Sequence, residues 1–377
     1  MPGGKPMRTE HQRVAVVHDW LVGRGGAEIV TRELVRAFDA DVFALVDHLH
    51  AADRAFILGG KRARTTFIQH VPGSRRWFRL YLPLFPLAIE RLDLSAYDVI
   101  ISSSYAVAKG VRIRSGQKHI CYIHTPMRYA WVKEEEYLHD HGLRSALLAK
   151  PVRWVLKRLR HWDLRTNDRI DLFVANGRNV ADRVERSYGR QAEVLHPPVD
   201  LERFPLYEGQ RNGYLAVGRA VPYKRVDRII EAFREMPEEQ LTVCGSGPML
   251  SRWKRSAPAN VRFTGEVDQD TLVDLYQRSR ALILAADEDL GITPLEALAC
   301  GTPSIALRSG GYLETLREGR SAIFFDEAAP AAIRDAVLRF ETAGIAATPP
   351  ELHEEARPFD ANLFRERIRD IVERTIA

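Results

Sequence analysis

Two glutamates eight residues apart, Glu288 and Glu296, are the residues whose type and spacing most clearly suggest chemistry. They flank a short loop, which follows an apolar run at residues 281–286 and leads into a helical stretch from about Pro294 to Gly301. A short apolar run is typical of a strand buried on both faces, and proline suits the first turn of a helix. The sequence therefore predicts a strand, a ligand-binding loop and a short helix.

The loop offers a ligand two kinds of group. Backbone N–H groups at Gly291, Ile292 and Thr293 would lie free at the start of the helix, where the helix dipole also favours an anion such as phosphate. A carboxylate repels that anion, so Glu288 and Glu296 are better suited to accept hydrogen bonds from hydroxyls on either side of it. Hydroxyls flanking a diphosphate describe a nucleotide sugar, although two solvated acids explain this pair alone equally well.

Length and composition favour a soluble protein of two domains. The chain has 377 residues, of which 45% are hydrophobic and 28% charged. It has no apolar run long enough to cross a membrane, and residues 1–12 are too polar for a secretion signal, so we expect a cytoplasmic protein with a disordered N-terminus. Cys121, Cys244 and Cys300 lie in separate apolar segments and are predicted to be buried free thiols.

The first half of the chain is basic. Residues 1–195 contain 32 Lys and Arg against 21 Asp and Glu, whereas the remainder contains 23 against 29. Much of the charge accompanies aromatic residues at 75–82 and 150–162, a combination that suits an anionic membrane surface. A helix with an apolar face towards the core and a solvated back is the alternative for 150–162. No recognisable nucleic-acid-binding module is present.

Strand-like runs alternate with helical stretches along the chain, which predicts parallel sheets. The runs fall into two series, joined by a proline-containing stretch after residue 195, and so indicate two doubly wound domains that face one another. Ligands of such domains bind at the carboxyl ends of the strands. The predicted strands are residues 13–18, 42–46, 99–102, 119–124 and 172–175, then 213–217, 240–244, 261–264, 281–286 and 303–307.

Three further loops follow predicted strands of the second series. The loop after residue 217 begins with Gly218 and carries Arg219 and Lys224, two cations that could clamp a diphosphate. The next contains Gly245, where the absence of a side chain permits close approach of a base or ribose, although a plain turn is the default. Val267 lies in the third loop, before a helical stretch at 271–278.

These loops, in this order, closely resemble the C-terminal domain of family 4 of the retaining glycosyltransferases. The stretch 16–28, with its glycine-rich loop, and the His-Pro-Pro-Val-Asp stretch at 196–200 resemble the same family. The resemblance implies the GT-B fold, an α/β architecture of two facing Rossmann-like doubly wound domains with parallel sheets. The implied boundaries are an N-terminal acceptor-side domain at 13–195, a linker at 196–212, a nucleotide-sugar domain at 213–355, and a C-terminal helix at 356–377 that returns to the first domain.

The resemblance also implies roles for individual residues. Arg219 and Lys224 would bind the donor diphosphate, Glu296 the ribose hydroxyls, and Glu288 the hydroxyls of the transferred sugar. His124 matches the histidine that the family places beside the sugar. The remaining donor contacts would come from backbone near Gly25, Gly26, Gly218, Gly245, Val267, Gly291, Ile292 and Thr293. Arg128, Tyr129 and Trp131, which follow His124 in the sequence, are candidates for acceptor binding. Leu290 stands where many relatives have phenylalanine.

The implied reaction transfers a hexosyl group with retention at the anomeric carbon. The leaving phosphate of such enzymes is thought to assist the acceptor hydroxyl, and no cofactor or metal is expected. Asp287, Glu288 and Asp289 could instead be read as the metal-binding DxD signature of the other major glycosyltransferase architecture. A dinucleotide-dependent oxidoreductase is an alternative of another class, with Asp47 as the only suitably placed acid, but the full glycine fingerprint is missing. A nucleotide-sugar sensor without activity is a third.

The combination of residues 17–20 with residues 122–131 resembles bacterial mannosyltransferases of O-antigen and exopolysaccharide assembly. It implies GDP-mannose as the donor and a lipid-linked or oligosaccharide acceptor, with a GDP-deoxyhexose or a UDP-sugar as alternatives. A lipid-linked acceptor would bring the protein to the inner face of the cytoplasmic membrane as a peripheral protein, which would explain the basic first half.

Overall fold

The computed structural model describes residues 12–127, 131 and 146–377 of the chain. The predicted N-terminal tail therefore lies outside the described residues, apart from Gln12. The chain divides into two compact units, Met1–Pro197 together with Asn362–Ala377, and Pro198–Ala361. Their boundary falls at the start of the predicted linker.

The first unit is built on a parallel sheet of seven strands. The strands lie in the order β3-β2-β1-β4-β5-β6-β7, and every neighbouring pair is parallel. They are β1 (Val14–His18), β2 (Asp41–Ala44), β3 (Arg64–Thr65), β4 (Val99–Ser104), β5 (Lys118–Ile123), β6 (Leu172–Ala175) and β7 (Ala192–Val194). The helices of this part of the chain are α1 (Gly26–Phe38), α2 (Ala51–Leu58), α3 (Ser74–Trp77), α4 (Phe85–Ile89), α5 (Ala146–Thr166) and α6 (Arg178–Tyr188).

The second unit repeats this plan with six parallel strands in the order β10-β9-β8-β11-β12-β13. The strands are β8 (Tyr214–Val217), β9 (Leu241–Cys244), β10 (Val261–Gly265), β11 (Ala281–Leu284), β12 (Ser304–Leu307) and β13 (Ala322–Phe325). The helices are α7 (Val226–Arg234), α8 (Leu250–Ser256), α9 (Gln269–Arg278), α10 (Thr293–Ala299), α11 (Tyr312–Thr315), α12 (Pro330–Ala343) and α13 (Pro349–Ala356).

The last helix, α14 (Ala361–Ile376), belongs almost entirely to the first unit. Phe364, Ile368, Ile371 and Val372 recur at helical spacing and are buried in the core of that unit, on the same side of the sheet as Val16. The family resemblance implied this return, and the packing shows its cause: the apolar face of α14 is buried among residues of the N-terminal strands.

Each sheet contains one point where the strand order reverses direction. In the first sheet β1 lies between β2 and β4, and in the second β8 lies between β9 and β11. The loops that leave such adjacent strands run to opposite sides of the sheet, which opens a crevice at their carboxyl ends. The loops after β1 and β4, and those after β8 and β11, are therefore where candidate ligand groups should be sought.

The sequence predicted ten strands to within two residues of their observed ends but missed β3, β7 and β13. The first two are edge strands of two and three residues, none of which is fully buried, so they lack the apolar pattern of a buried strand. β13 is the opposite case, since all four residues are buried and apolar, but its run is too short to distinguish from a helical segment by pattern.

Candidate active site

The loops after β8, β9 and β10 are held together by backbone hydrogen bonds at the edge of the second sheet. Gly218 N donates to Cys244 O at 3.0 Å, and Gly245 N donates to Gly265 O at 2.8 Å. A Cβ atom on Gly245, whose φ is +131°, would lie only 2.0 Å from Gly218 O. Glycine is therefore required here by the contact between two loops, whatever ligand approaches. Val267, beyond β10, is half-buried and packs against the core of this unit.

Two of the predicted donor-binding side chains are already paired. Lys224, at the end of the short 3₁₀ turn Pro222–Lys224, places Nζ 2.6 Å from Oε1 of Glu288 in the loop after β11. Both side chains are mostly buried, and the pair bridges the strand ends of β8 and β11 at the reversal point. Arg219 lies in the same loop as Lys224 and is exposed. Lys224 is thus engaged by the Glu288 carboxylate, a pairing that the sequence did not predict.

The loop after β11 turns into α10 as the sequence predicted. Among the described residues, the backbone N–H groups of Gly291, Ile292 and Thr293 make no hydrogen bond. Gly291 has φ +82°, and a Cβ there would lie 2.9 Å from the ring of Tyr312. A glycine is therefore needed for the tight turn that leaves these N–H groups together at the start of the helix.

The loop between the two glutamates packs against the core of the second unit and is hydrogen-bonded to the loop after β12. Leu290 is buried together with Tyr312 in that core, so this side chain anchors the loop. Oδ1 of Asp287 accepts a hydrogen bond of 2.8 Å from the hydroxyl of Ser309, and Gly311 N donates to the backbone oxygen of Glu288. The acidic run is thus fixed partly by the loop after β12. The leucine at 290, where many relatives have phenylalanine, thus packs in the core beneath the loop.

Glu296 is much more buried than a solvated acid would be. It lies in α10, is 8% exposed, and accepts a hydrogen bond of 2.7 Å from the hydroxyl of Tyr276 through Oε2. Burial raises the pKa of this carboxyl to about 7, against the smaller opposing effects of the Tyr276 bond and of Arg203. Because Glu296 is both buried and oriented by a neighbour, the structure contradicts the interpretation of the pair as two solvated acids.

His124 follows β5 in the first unit and is half-buried. Its Nε2 lies 2.9 Å from Oγ of Ser103 on β4, and the same hydroxyl lies 3.1 Å from Nδ1 of His18 at the end of β1. Burial lowers the pKa of His124 to about 3, and the nearby His18 ring acts in the same direction. His124 is therefore a neutral imidazole at physiological pH, able to accept or donate a hydrogen bond but not to supply a positive charge.

The predicted glycine loop leads directly into this group. Gly25 has an extended backbone and precedes the first residue of α1, Gly26. A Cβ on Gly25 would lie 2.7 Å from Oε2 of Glu28, whose other oxygen lies 3.3 Å from Nε2 of His18. The glycine at 25 thus leaves room for the Glu28 carboxylate to fold back over the start of the helix. The family resemblance implied instead that the backbone at Gly25 and Gly26 contacts the donor.

Asp19 organises the neighbouring loop after β4. It is fully buried, and its two carboxylate oxygens accept hydrogen bonds of 2.6–2.9 Å from the four consecutive backbone N–H groups of residues 105–108. The sequence alone indicated no role for Asp19, Glu28 or Ser103. Polar residues at the ends of otherwise apolar strands were the signal available.

Of the predicted acceptor residues, only Trp131 is described; Arg128 and Tyr129 lie outside the described residues. The Trp131 indole donates a hydrogen bond of 2.7 Å to Oδ2 of Asp163 and packs edge-on against Tyr188. Asp163 is itself buried and paired with Lys109. Trp131 is therefore anchored to a buried polar cluster, and its indole N–H is not available to a ligand.

Comparison with known proteins assigns a family model to each half of the chain. Residues 24–203 match the model of Glycosyltransferase Family 4, and residues 200–357 match that of Glycosyl transferases group 1. Among curated relatives, a D-inositol 3-phosphate glycosyltransferase of Streptomyces bingchenggensis is 32% identical over 41% of this chain and 41% of its own length. A GDP-mannose-dependent alpha-(1-6)-phosphatidylinositol monomannoside mannosyltransferase of Mycolicibacterium smegmatis is 31% identical over 46% of this chain and 53% of its own. The chain thus matches only about half the length of such relatives.

Solved structures show the same fold over nearly the whole chain. Sucrose-phosphate synthase from Thermosynechococcus elongatus superposes with a TM-score of 0.72 and 15% identity, covering 97% of this chain and 99% of that one. Anabaena HepE in complex with UDP-glucose gives 0.67 and 15%, covering 95% and 99%. At such identities the likeness concerns the fold alone, and it confirms the predicted GT-B fold with two parallel-sheet domains.

The raised pKa of Glu296 predicts a specific dependence of stability on pH. Between about pH 4.5 and 7 the native chain keeps a proton on this carboxyl that the unfolded chain releases. The free energy of unfolding should therefore fall as pH rises through this window. Glu296→Gln should remove the part of this decrease that Glu296 causes. Calorimetric unfolding of both proteins at several pH values measures it, with Glu231→Gln as a matched exposed control. A Glu296→Gln profile parallel to that of the wild type would contradict the assignment.

Proposed function

We propose that the chain transfers a hexosyl group from a nucleotide sugar with retention. It belongs to the GT-B glycosyltransferases, with a family 4 domain in its first half and a group 1 domain in its second. The proposed donor is GDP-mannose. The proposed acceptor is a lipid-linked saccharide or an oligosaccharide in the synthesis of a bacterial surface polysaccharide.

One observation carries this proposal: Lys224 and Glu288 meet at the reversal point of the second sheet, beside three unbonded backbone N–H groups. A diphosphate bound by those N–H groups would compete with Glu288 for Lys224. Once Lys224 turns to phosphate, the Glu288 carboxylate can accept hydrogen bonds from hydroxyls of the transferred sugar. An arrangement that exchanges an internal ion pair for a ligand suits a donor with an anionic centre and a hydroxylated end.

The chemistry follows from where charge develops. Cleavage of the bond between the sugar and the diphosphate leaves negative charge on the leaving oxygen, which Arg219 and Lys224 would stabilise. Gly218 and Gly245 keep the backbone around these cations compact, and Glu296 would hold the ribose hydroxyls. In the first unit, His124 would meet the sugar as a neutral imidazole, and the N–H groups at Gly25 and Gly26 would lie near the donor. No carboxylate is needed as a nucleophile, because the departing phosphate can accept the proton of the acceptor hydroxyl.

The donor remains a choice between related molecules. The Mycolicibacterium relative is named as GDP-mannose-dependent, which supports GDP-mannose, whereas the Anabaena structure with the same fold holds UDP-glucose, which supports a UDP-sugar. A GDP-deoxyhexose is the third alternative. A dinucleotide-dependent oxidoreductase is less well supported, because the carboxylate of Asp47 is engaged by Arg54 at 2.8 Å and by Leu49 N.

A donor screen tests the proposed reaction. Purified protein with GDP-mannose and a polyprenyl-diphosphate-linked saccharide should release GDP, and linkage analysis of the product should show an α-linked mannose, since the donor is α-linked. Activity should persist in EDTA, because Lys224 and Arg219 replace the metal. Loss of activity in EDTA with rescue by manganese would overturn the metal-free part. Oxidation of NADH, or GDP-mannose bound without turnover, would instead support the oxidoreductase or the sensor.

We also propose that the first unit docks on the anionic inner face of the cytoplasmic membrane. Helix α5 buries Leu156, Leu159 and Trp162 in the first unit, as the core-facing interpretation of residues 150–162 required. Its opposite side nevertheless exposes Trp154, with the Arg158 guanidinium stacked 4.7 Å from the ring. No helix in the described part of the chain is both long and apolar enough to cross a bilayer.

A second exposed group of the same character lies at residues 77–87 of the same unit. Trp77 is 50% exposed and Leu80 is 72% exposed, and both lie beside the arginines at 75, 76 and 79. Large exposed apolar side chains among cations suit an interface of headgroups and acyl chains.

Binding to vesicles tests the membrane proposal. The protein should co-sediment with liposomes that contain phosphatidylglycerol, and binding should weaken with added salt and with neutralisation of Arg153, Lys157 and Arg158 to glutamine. Neutralisation of Arg252, Lys254 and Arg255, three exposed residues of the second unit, changes the net charge equally and should have little effect. Binding that is indifferent to salt, or equally reduced in both triple variants, would refute a docking site on α5.

A further inference from the structure

A chain of buried hydrogen-bonding side chains connects Glu28 to His124 within the first unit. Oε1 of Glu28 lies 3.3 Å from Nε2 of His18, and Nδ1 of His18 lies 3.0 Å from Oγ1 of Thr31 and 3.1 Å from Oγ of Ser103. The two hydroxyls are 3.0 Å apart, and Ser103 reaches Nε2 of His124 at 2.9 Å. His18, Thr31 and Ser103 are completely buried.

The first step of the chain fixes the proton on His18. A carboxylate can only accept a hydrogen bond, so the ring nitrogen that faces Glu28 must carry hydrogen. A neutral His18 then has a bare Nδ1, which needs a proton from the hydroxyl of Thr31 or Ser103. The direction of donation is therefore set at the Glu28 end and runs towards that carboxylate.

The next step sets the proton on His124. Ser103 and Thr31 have one hydroxyl hydrogen each, and both are directed to His18, to each other or, for Thr31, to the backbone oxygen of Ala27 at 2.9 Å. The 2.9 Å contact between Ser103 and His124 also needs a hydrogen. Both hydroxyl hydrogens stay available for their other contacts only if Nε2 of His124 carries this hydrogen and donates it to Ser103. With hydrogen on Nε2, the other nitrogen, Nδ1, has a free lone pair, and no described residue bonds to it.

We propose that Glu28, His18 and Ser103 are positioning residues that hold His124 as its neutral Nε2–H tautomer, so that Nδ1 is presented to the substrate only as a hydrogen-bond acceptor. Its partner would be a hydroxyl of the transferred sugar, and that identification rests on the proposed function. The tautomer itself follows from the hydrogen bonds alone. Gly25 is part of the arrangement, because a side chain there would displace the Glu28 carboxylate.

The tautomer can be observed directly by long-range ¹H–¹⁵N correlation of the full chain labelled with ¹⁵N-histidine. The His124 signals, assigned by their loss in His124→Gln, should show the neutral Nε2–H form. Ser103→Ala should shift them towards an average of the two tautomers. Ser102→Ala is the matched control, since Ser102 is the buried neighbour on β4 whose hydroxyl lies 2.8 Å from His119, outside the relay. A wild-type Nδ1–H form, or unchanged signals in Ser103→Ala, would overturn the proposal.

Substitutions at the far end separate positioning from packing. Glu28→Ala should disturb the His124 tautomer from a distance, and Glu28→Gln should largely restore it, because the amide oxygen still accepts from His18. In a transfer assay Ser103→Ala should lower kcat about tenfold with a nearly unchanged KM for the donor, whereas Ser102→Ala should not. An active enzyme whose His124 signals ignore Glu28 would refute the relay alone. A correct tautomer in a chain that transfers no sugar would refute the proposed function and leave the relay standing.

Discussion

A parallel sheet covered on both faces can place polar side chains in contact with ligand only where its strands end. In the described strands most residues are apolar, while Asp19, Ser103, His124, Gly218 and Glu288 lie near or beyond the carboxyl ends of strands. The reversal of strand order between β1 and β4, and between β8 and β11, brings such ends together in each unit. The chemistry of the protein therefore depends on sheet topology before it depends on any individual side chain.

The pair of Lys224 and Glu288 places opposite charges side by side in the second unit. Opposite unit charges about 4 Å apart near a protein surface attract each other by roughly 4 kcal/mol, and removal from water offsets much of that gain. A diphosphate with more than one negative charge, and with backbone N–H groups to receive it, can compete for the lysine on these terms. The first unit uses neutral groups instead. His124 is kept neutral by burial. The hydroxyl of Ser103, which lies between His124 and His18, is uncharged and acts only by fixing which atoms donate and which accept.

The sequence predicted most of this framework because strong local signals specify it. Buried parallel strands such as β11 are continuous apolar runs, and Pro294 and Gly301 delimit α10. The pairing of Lys224 with Glu288 was not predicted, because two loops some sixty residues apart meet only through the register of β8 and β11. The burial of Glu296 against Tyr276 was not predicted either, because these residues also meet only in the folded chain. Trp131 was predicted to bind the acceptor, and nothing near it in the sequence points to its hydrogen bond with Asp163.

The central claim is that Glu288 and Glu296 are not equivalent, with Glu296 serving the nucleotide and Glu288 the transferred sugar. Calorimetric titration with GDP, and with UDP if the wild type prefers it, tests this most directly when turnover of the same proteins is measured in parallel. Glu296→Ala should weaken nucleotide binding by about tenfold or more, because a buried carboxylate that accepts from hydroxyls is lost. Glu288→Ala should leave nucleotide binding intact while abolishing transfer. Equal weakening of nucleotide binding by the two substitutions, or weakening by Glu288→Ala alone, would contradict the account.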